Sequence, residues 1–103
     1  MREVAVPHLV DSEIAHALRS QVSRGTVTDT DARSALDRWA RLGMRRFAAL
    51  GLLGRLWDLR QNLTAYDATY VALAEAIGCD LLTADRRLAS APGPRCPMVV
   101  VRC

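Results

Sequence analysis

An α/β fold, with a short and mainly parallel sheet flanked by helices, is what the sequence predicts, and three observations carry it. Segments with apolar residues at helical spacing alternate with short apolar runs that suit buried strands. The stretch LTAYDATYVALAEAIGCDLLTADRRLA, Leu63 to Ala89, reads as a helix, a glycine stop and a strand in succession. The final run, MVVVRC, follows the proline-rich link APGPRCP and has the continuous apolar character of a strand covered on both faces.

Taken in order, Pro7 breaks the opening segment. After it, VDSEIAHALRSQVSRG places Val10, Ile14, Ala17, Leu18 and Val22 at helical spacing, with Gly25 as a stop. In TVTDTDARSALDRWARLG, Thr28 and Asp31 have capping-box form, Ala32, Ala35, Leu36, Trp39 and Leu42 make one stripe, and Gly43 ends the second helix. RRFAAL is short and β-compatible. GLLGRLWDLRQN reads as helical, with Leu52, Leu53, Leu56 and Trp57 facing inward and Asn62 as its C-cap. A helix from about Ala65 to Ile77, the strand DLLTA and a short turn or helix in DRRLAS follow. Three strands are visible in all. No repeat, low-complexity tract or linker divides residues 1–103, so a single domain is expected.

Composition narrows the function classes. Half of the 103 residues are hydrophobic and about a quarter are charged, which excludes a mainly disordered or fibrous chain. Every basic residue is an arginine, the better bidentate ligand for phosphate, and the net charge is +3; a GC-rich coding bias accounts for the absence of lysine equally well. Cys79, Cys96 and Cys103 are odd in number and lack C-x-x-C spacing, so neither a disulfide framework nor a zinc ribbon is indicated. A reducing cytoplasm is the expected location. No apolar stretch reaches membrane-spanning length, and no signal-peptide core opens the chain.

Three acids draw attention. Thr64 and Asp67 stand in the T-x-x-D relation, which puts Asp67 in the first turn of its helix. A helix of about a dozen residues rises roughly 18 Å at 1.5 Å per residue. Gly78 ends it, and five strand residues at about 3.3 Å each return roughly 16 Å of that distance. Asp85 thereby reaches the end of the domain that holds Asp67, at the carboxyl edge of the sheet. Two neighbouring carboxylates repel unless a cation joins them, and an all-oxygen ligand set selects Mg²⁺ or Mn²⁺. Glu13, polar within an apolar helical pattern, is the third candidate. Spacing permits a metal site without demanding one. Capping acids are far commoner than metal ligands: Asp67 suits a cap that opposes its helix dipole, Asp85 an N-cap of RRLAS, and Glu13 a first-turn acid on a solvated face.

The wording of the sequence says more. LTAYDATYVALAEAIGCDLLTADRRLA resembles the C-terminal signature of PIN-domain ribonucleases of the VapC toxin type, from type II toxin–antitoxin systems. PHLVDSEIAHALR is similar to that family's second block, which carries an acid on a helix. The resemblance covers nearly the whole chain, and the long block is its more specific part. It implies a PIN-like fold and an endoribonuclease that hydrolyses RNA phosphodiester bonds with Mg²⁺ or Mn²⁺. It further implies Glu13, Asp67 and Asp85 as the catalytic and metal-binding acids, with Asp67 the principal ligand and Thr83 a polar support beside Asp85. Arg19, Arg86 and Arg87 are the nearest candidates for phosphate contacts. A cognate antitoxin that blocks the site and a homodimer are implied as well.

One departure from the family pattern stands out. Such proteins open with a strand that ends in an aspartate ligand, whereas this chain begins almost at PHLVDSE. The expectation is an N-terminally truncated PIN-like fold, from a misassigned start or a genuine truncation, with at most three of four acids and an apolar slot in its sheet. Two other functions compete: a catalytically inactive remnant that binds antitoxin or a sister protomer, and an Arg-rich nucleic-acid binder indifferent to EDTA. Glu13 and His16 form E-x-x-H, half of a di-iron motif without its second copy, and His16 is expected to be a partly buried polar side chain. Trp39 and Trp57 are read as core or dimer contacts rather than base-stacking platforms. No serine has His and acid partners at suggestive spacing, and Gly51 and Gly54 lack the lysine of a phosphate loop.

Overall fold

A computed structural model describes residues 4–83 and 86–100, the last two without their side chains. The chain divides into two compact units, residues 1–46 and 47–103.

The first unit opens with a strand that the sequence did not announce, β1 (Ala5–Pro7), followed by α1 (Leu9–Ser23) and α2 (Asp29–Arg41). Pro7 is the last residue of β1 rather than a break in a loop. Strand β2 (Arg45–Phe47) pairs with β1, and the Arg45 N–H donates to the Val4 carbonyl at 2.9 Å. Helix α2 is capped as its sequence predicts: Thr28 is extended, and its Oγ1 accepts from the Asp31 N–H at 3.1 Å. Helix α1 packs on α2, yet none of its residues is buried; in α2 only Ala32 is. Ala35 and Leu42, expected inward, are exposed, because α2 turns a narrower apolar face formed by Ala32, Leu36 and Trp39. His16 is exposed too, on a helix that buries nothing deeply.

The second unit holds the main core. A 3₁₀ turn (Leu50–Leu52) leads into α3 (Leu53–Asp58), then α4 (Ala65–Ile77), β3 (Leu81–Thr83), α5 (Arg86–Ser90) and β4 (Met98–Val100). Strands β3 and β4 are parallel, with Leu81 opposite Met98, Leu82 opposite Val99 and Thr83 opposite Val100. A parallel pair needs a crossover, and α5 with the proline-rich link supplies it. Helices α4 and α5 both pack on β3, giving the short parallel sheet flanked by helices that the pattern predicts.

Leu59, Ala68, Val71, Ala74, Leu81 and Leu88 form the core, with Leu56, Leu63, Tyr70, Cys96 and Met98 against it. Small alanines on α4 let neighbouring elements approach closely, and Val71 is fully buried. The inward face of α3 is corrected: Leu53 and Trp57 are exposed, Trp57 at 66%. The six-residue helix turns Leu56 inward and delivers Leu59, its C-cap, to the core, so the stripe through Leu53 and Trp57 faces solvent. Asn62 is therefore not the cap; it lies in the following turn, its N–H bonded to the Leu59 carbonyl. No helix among the described residues is long and apolar enough to cross a membrane.

Candidate functional site

Asp67 sits in the first turn of α4 because Thr64, extended at φ −65° and ψ 159°, starts the helix and accepts the Asp67 N–H on its Oγ1 at 3.1 Å. Only half of the capping box forms. The Asp67 carboxylate does not bond back to the Thr64 N–H, and no hydrogen bond or ion pair engages it among the described residues. Asp31 on α2 repeats this backbone geometry but is exposed, whereas Asp67 is half-buried. A carboxylate that is partly withdrawn from water, unbonded and at a helix N-terminus is suited to receive a cation while the helix field favours its charge.

The neighbouring structure follows from one glycine. Gly78 takes the left-handed conformation, φ 68°, and its N–H donates to the Ala74 and Glu75 carbonyls, so the chain reverses at the end of α4. Strand β3 then packs on α4 and runs back toward its N-terminal end. Thirteen helical residues rise about 19 Å, and the five steps from Gly78 to Thr83 return up to about 16 Å of it. Half-buried Thr83 ends β3 on the Asp67 side. Asp85 lies outside the described residues. Arg86 and Arg87, both exposed, open α5 just beyond it.

Glu13 and Arg19 are exposed on α1 in the first unit, so each is placed within that unit alone. Among the described residues, no group of three or more His, Cys, Asp or Glu side chains is set to hold a metal ion; Asp85 is not among them. Within the second unit the structure thus brings Thr83 toward Asp67.

Sequence reasoning missed a strongly bonded acid of the first unit. Asp11 accepts three hydrogen bonds: Arg46 donates Nε to Oδ2 at 2.6 Å and Nη2 to Oδ1 at 2.8 Å, and Trp39 donates Nε1 to Oδ1 at 2.7 Å. Bonding by Arg46, then by Trp39, holds the Asp11 carboxyl down at about 2. The partners are 28 and 35 residues away, so no local spacing could have signalled the network. In the second unit, Arg55 donates to both Glu75 oxygens, at 2.6 and 3.1 Å, and to the Gly93 carbonyl at 2.8 Å, while the Arg95 N–H donates to Glu75 Oε2 at 2.7 Å. Both side chains are mostly buried, and the network anchors the proline-rich link to α3 and α4.

Comparison with known proteins agrees with this architecture. Residues 1–94 match the PIN domain family. Ribonuclease VapC9 of Mycobacterium tuberculosis is 52% identical over 96 residues, which cover 93% of this chain and 76% of that protein. Ribonuclease VapC1 of the same organism is 46% identical over 97 residues, covering 93% and 73%. Ribonuclease VapC12 is 33% identical over 90 residues, covering 87% and 70%. With the PIN domain matched over most of its length and such relatives across it, the chain belongs to the PIN-domain family, as a member of the VapC type.

Proposed function

We propose that this protein is a toxin-type endoribonuclease that hydrolyses RNA phosphodiester bonds with a divalent metal, Mg²⁺ or Mn²⁺, and is neutralised by a cognate antitoxin. The observation that carries the reading is the half-buried Asp67 carboxylate, left unbonded at the head of α4 in a chain whose relatives are named ribonucleases.

An aspartate oxygen is a hard donor, and no cation pairs with Asp67 among the described residues, so the residue fits Mg²⁺ or Mn²⁺ better than a softer metal. Asp67 would be the principal ligand, with Asp85 and Glu13 completing the oxygen set or orienting the attacking water. When bound, the metal supplies an activated water and offsets charge that builds on the phosphate oxygens. Hydrolysis forms one water oxygen–phosphorus bond and breaks one phosphorus–oxygen bond of the RNA backbone. Thr83, at the end of β3, steadies the segment that leads to Asp85. Arg19, Arg86 and Arg87 offer cations to flanking phosphates. Kinship also leads us to propose a homodimer and a cytoplasmic site of action.

The test is RNA cleavage by the purified chain in Mg²⁺ or Mn²⁺. EDTA should abolish it, and Asp67→Asn should reduce it by about a hundredfold or more, since the substitution removes a charged ligand. Cleavage that persists in both would overturn the reading. A folded sample that binds RNA or antitoxin but cuts nothing under any condition would mark the chain as a binding remnant.

A further inference from the structure

We infer that Asp11 is a positioning residue for Glu13: its bonds to Arg46 and Trp39 set the first turn of α1, and with it the carboxylate that the nuclease reading assigns to the site. The inference rests on that reading for what Glu13 does.

Helix α1 begins without the usual supports. Its N-cap, His8, is itself helical at φ −54° and ψ −31° and makes no side-chain cap bond. No residue of the helix is buried, so apolar packing by Ile14, Leu18 and Val22, all half-buried, holds it only loosely. Asp11 supplies what is missing. The Arg46 fork reaches it from β2 and the Trp39 N–H from α2, so two separate elements grip one carboxylate. Bidentate guanidinium bonding fixes direction as well as distance. A grip from two sides resists both rotation of α1 about its axis and sliding along it.

The spacing then separates two roles within the tripeptide Asp11-Ser12-Glu13. Residues two apart on a helix lie about 200° apart around its axis at 3.6 residues per turn. Asp11 therefore faces Arg46 and Trp39, and Glu13 faces the other way. Both oxygens of Asp11 are occupied by the three donors, which leaves it poorly suited to ligate a metal or take up a proton. A small rotation at Asp11 would displace the Glu13 carboxylate, and a misplacement of about 1 Å can cost about a hundredfold in rate.

The experiment combines steady-state RNA cleavage with amide hydrogen exchange at residues 11–14, on the full chain and on Asp11→Ala, Arg46→Ala, their double variant, Asp11→Glu and Trp39→Phe. Positioning predicts faster exchange and a kcat about tenfold to a hundredfold lower in each alanine variant, with KM within about threefold. The double variant should be no worse than the weaker single one, because both remove the same grip. Asp11→Glu should regain part of kcat. Trp39→Phe, which keeps the ring but loses its N–H, should move both readouts less in the same direction and serves if the alanine variants do not fold. The inference is overturned if Arg46→Ala leaves kcat intact while Asp11→Ala abolishes it, since Asp11 would then act directly, or if exchange at residues 11–14 does not change. A wild-type chain that cleaves no RNA would sink the nuclease reading separately, and the exchange data would still decide whether Asp11 holds the turn.

Discussion

Thr28 and Thr64 cap their helices with the same bond length, yet they precede aspartates in different surroundings, and the comparison separates capping from site chemistry. Replacing either threonine by alanine should cost about 1 kcal/mol in chemical denaturation. On the proposed metal-dependent reading, only Thr64→Ala should also weaken Mg²⁺ or Mn²⁺ binding, because it loosens the turn that carries Asp67. At Glu75, the Arg55 guanidinium and then the Arg95 N–H hold the carboxyl below its usual 4.5, against burial that pushes it up. The unfolded chain binds its proton at the higher pH. The stabilising contribution is therefore complete above about 4.5 and is lost as pH falls below that value through the lowered folded pKa. Denaturation midpoints measured from pH 7 to pH 3 should drop on the acid side, and Glu75→Gln should be less stable at pH 7 with a shallower drop. The exposed pairs Arg33–Asp29 and Arg41–Asp37 on α2 should contribute almost nothing, and salt should erase what they do.

Among the elements, α3 offers the sharpest contrast. Leu59→Ala empties a fully buried position and should cost about 3 kcal/mol, whereas Trp57→Ala on the opposite side should stay within about 0.5 kcal/mol of wild type. Both are read from denaturation curves at neutral pH. Gly78→Ala should cost about 1 kcal/mol, since an alanine takes φ 68° only with strain, although an added Cβ would meet nothing there. These elements also show how far the sequence could be read. From Thr64 to Thr83, cap, apolar period, glycine stop and strand follow one another, and local signals sufficed. In α3 they did not: six residues are too few to define a period, so Leu53 and Leu56 were indistinguishable until the core selected one. Strand β1, three residues ending in proline, is too short to stand out at all.

At the scale of the whole molecule, legibility stops where contacts become distant. Asp67 could be singled out from its place in the first turn of a helix, and the family resemblance implied a role for it. Asp11 could not, because Arg46 and Trp39 come to it from far along the chain. The same limit hid the Arg55–Glu75 network, which closes over 20 residues and pins a link that looked like mere spacer. Trp39 lies in the first unit with its indole N–H bonded to a carboxylate, and Trp57 lies in the second, exposed and stacked under the Arg60 guanidinium at 4.6 Å. The protein thus carries one tryptophan in each half, one half-buried and one exposed. Iodide, drawn by the arginine, should quench Trp57 first. Emission followed separately in Trp39→Phe and Trp57→Phe would report whether the halves melt together, as one cooperative body, or in succession.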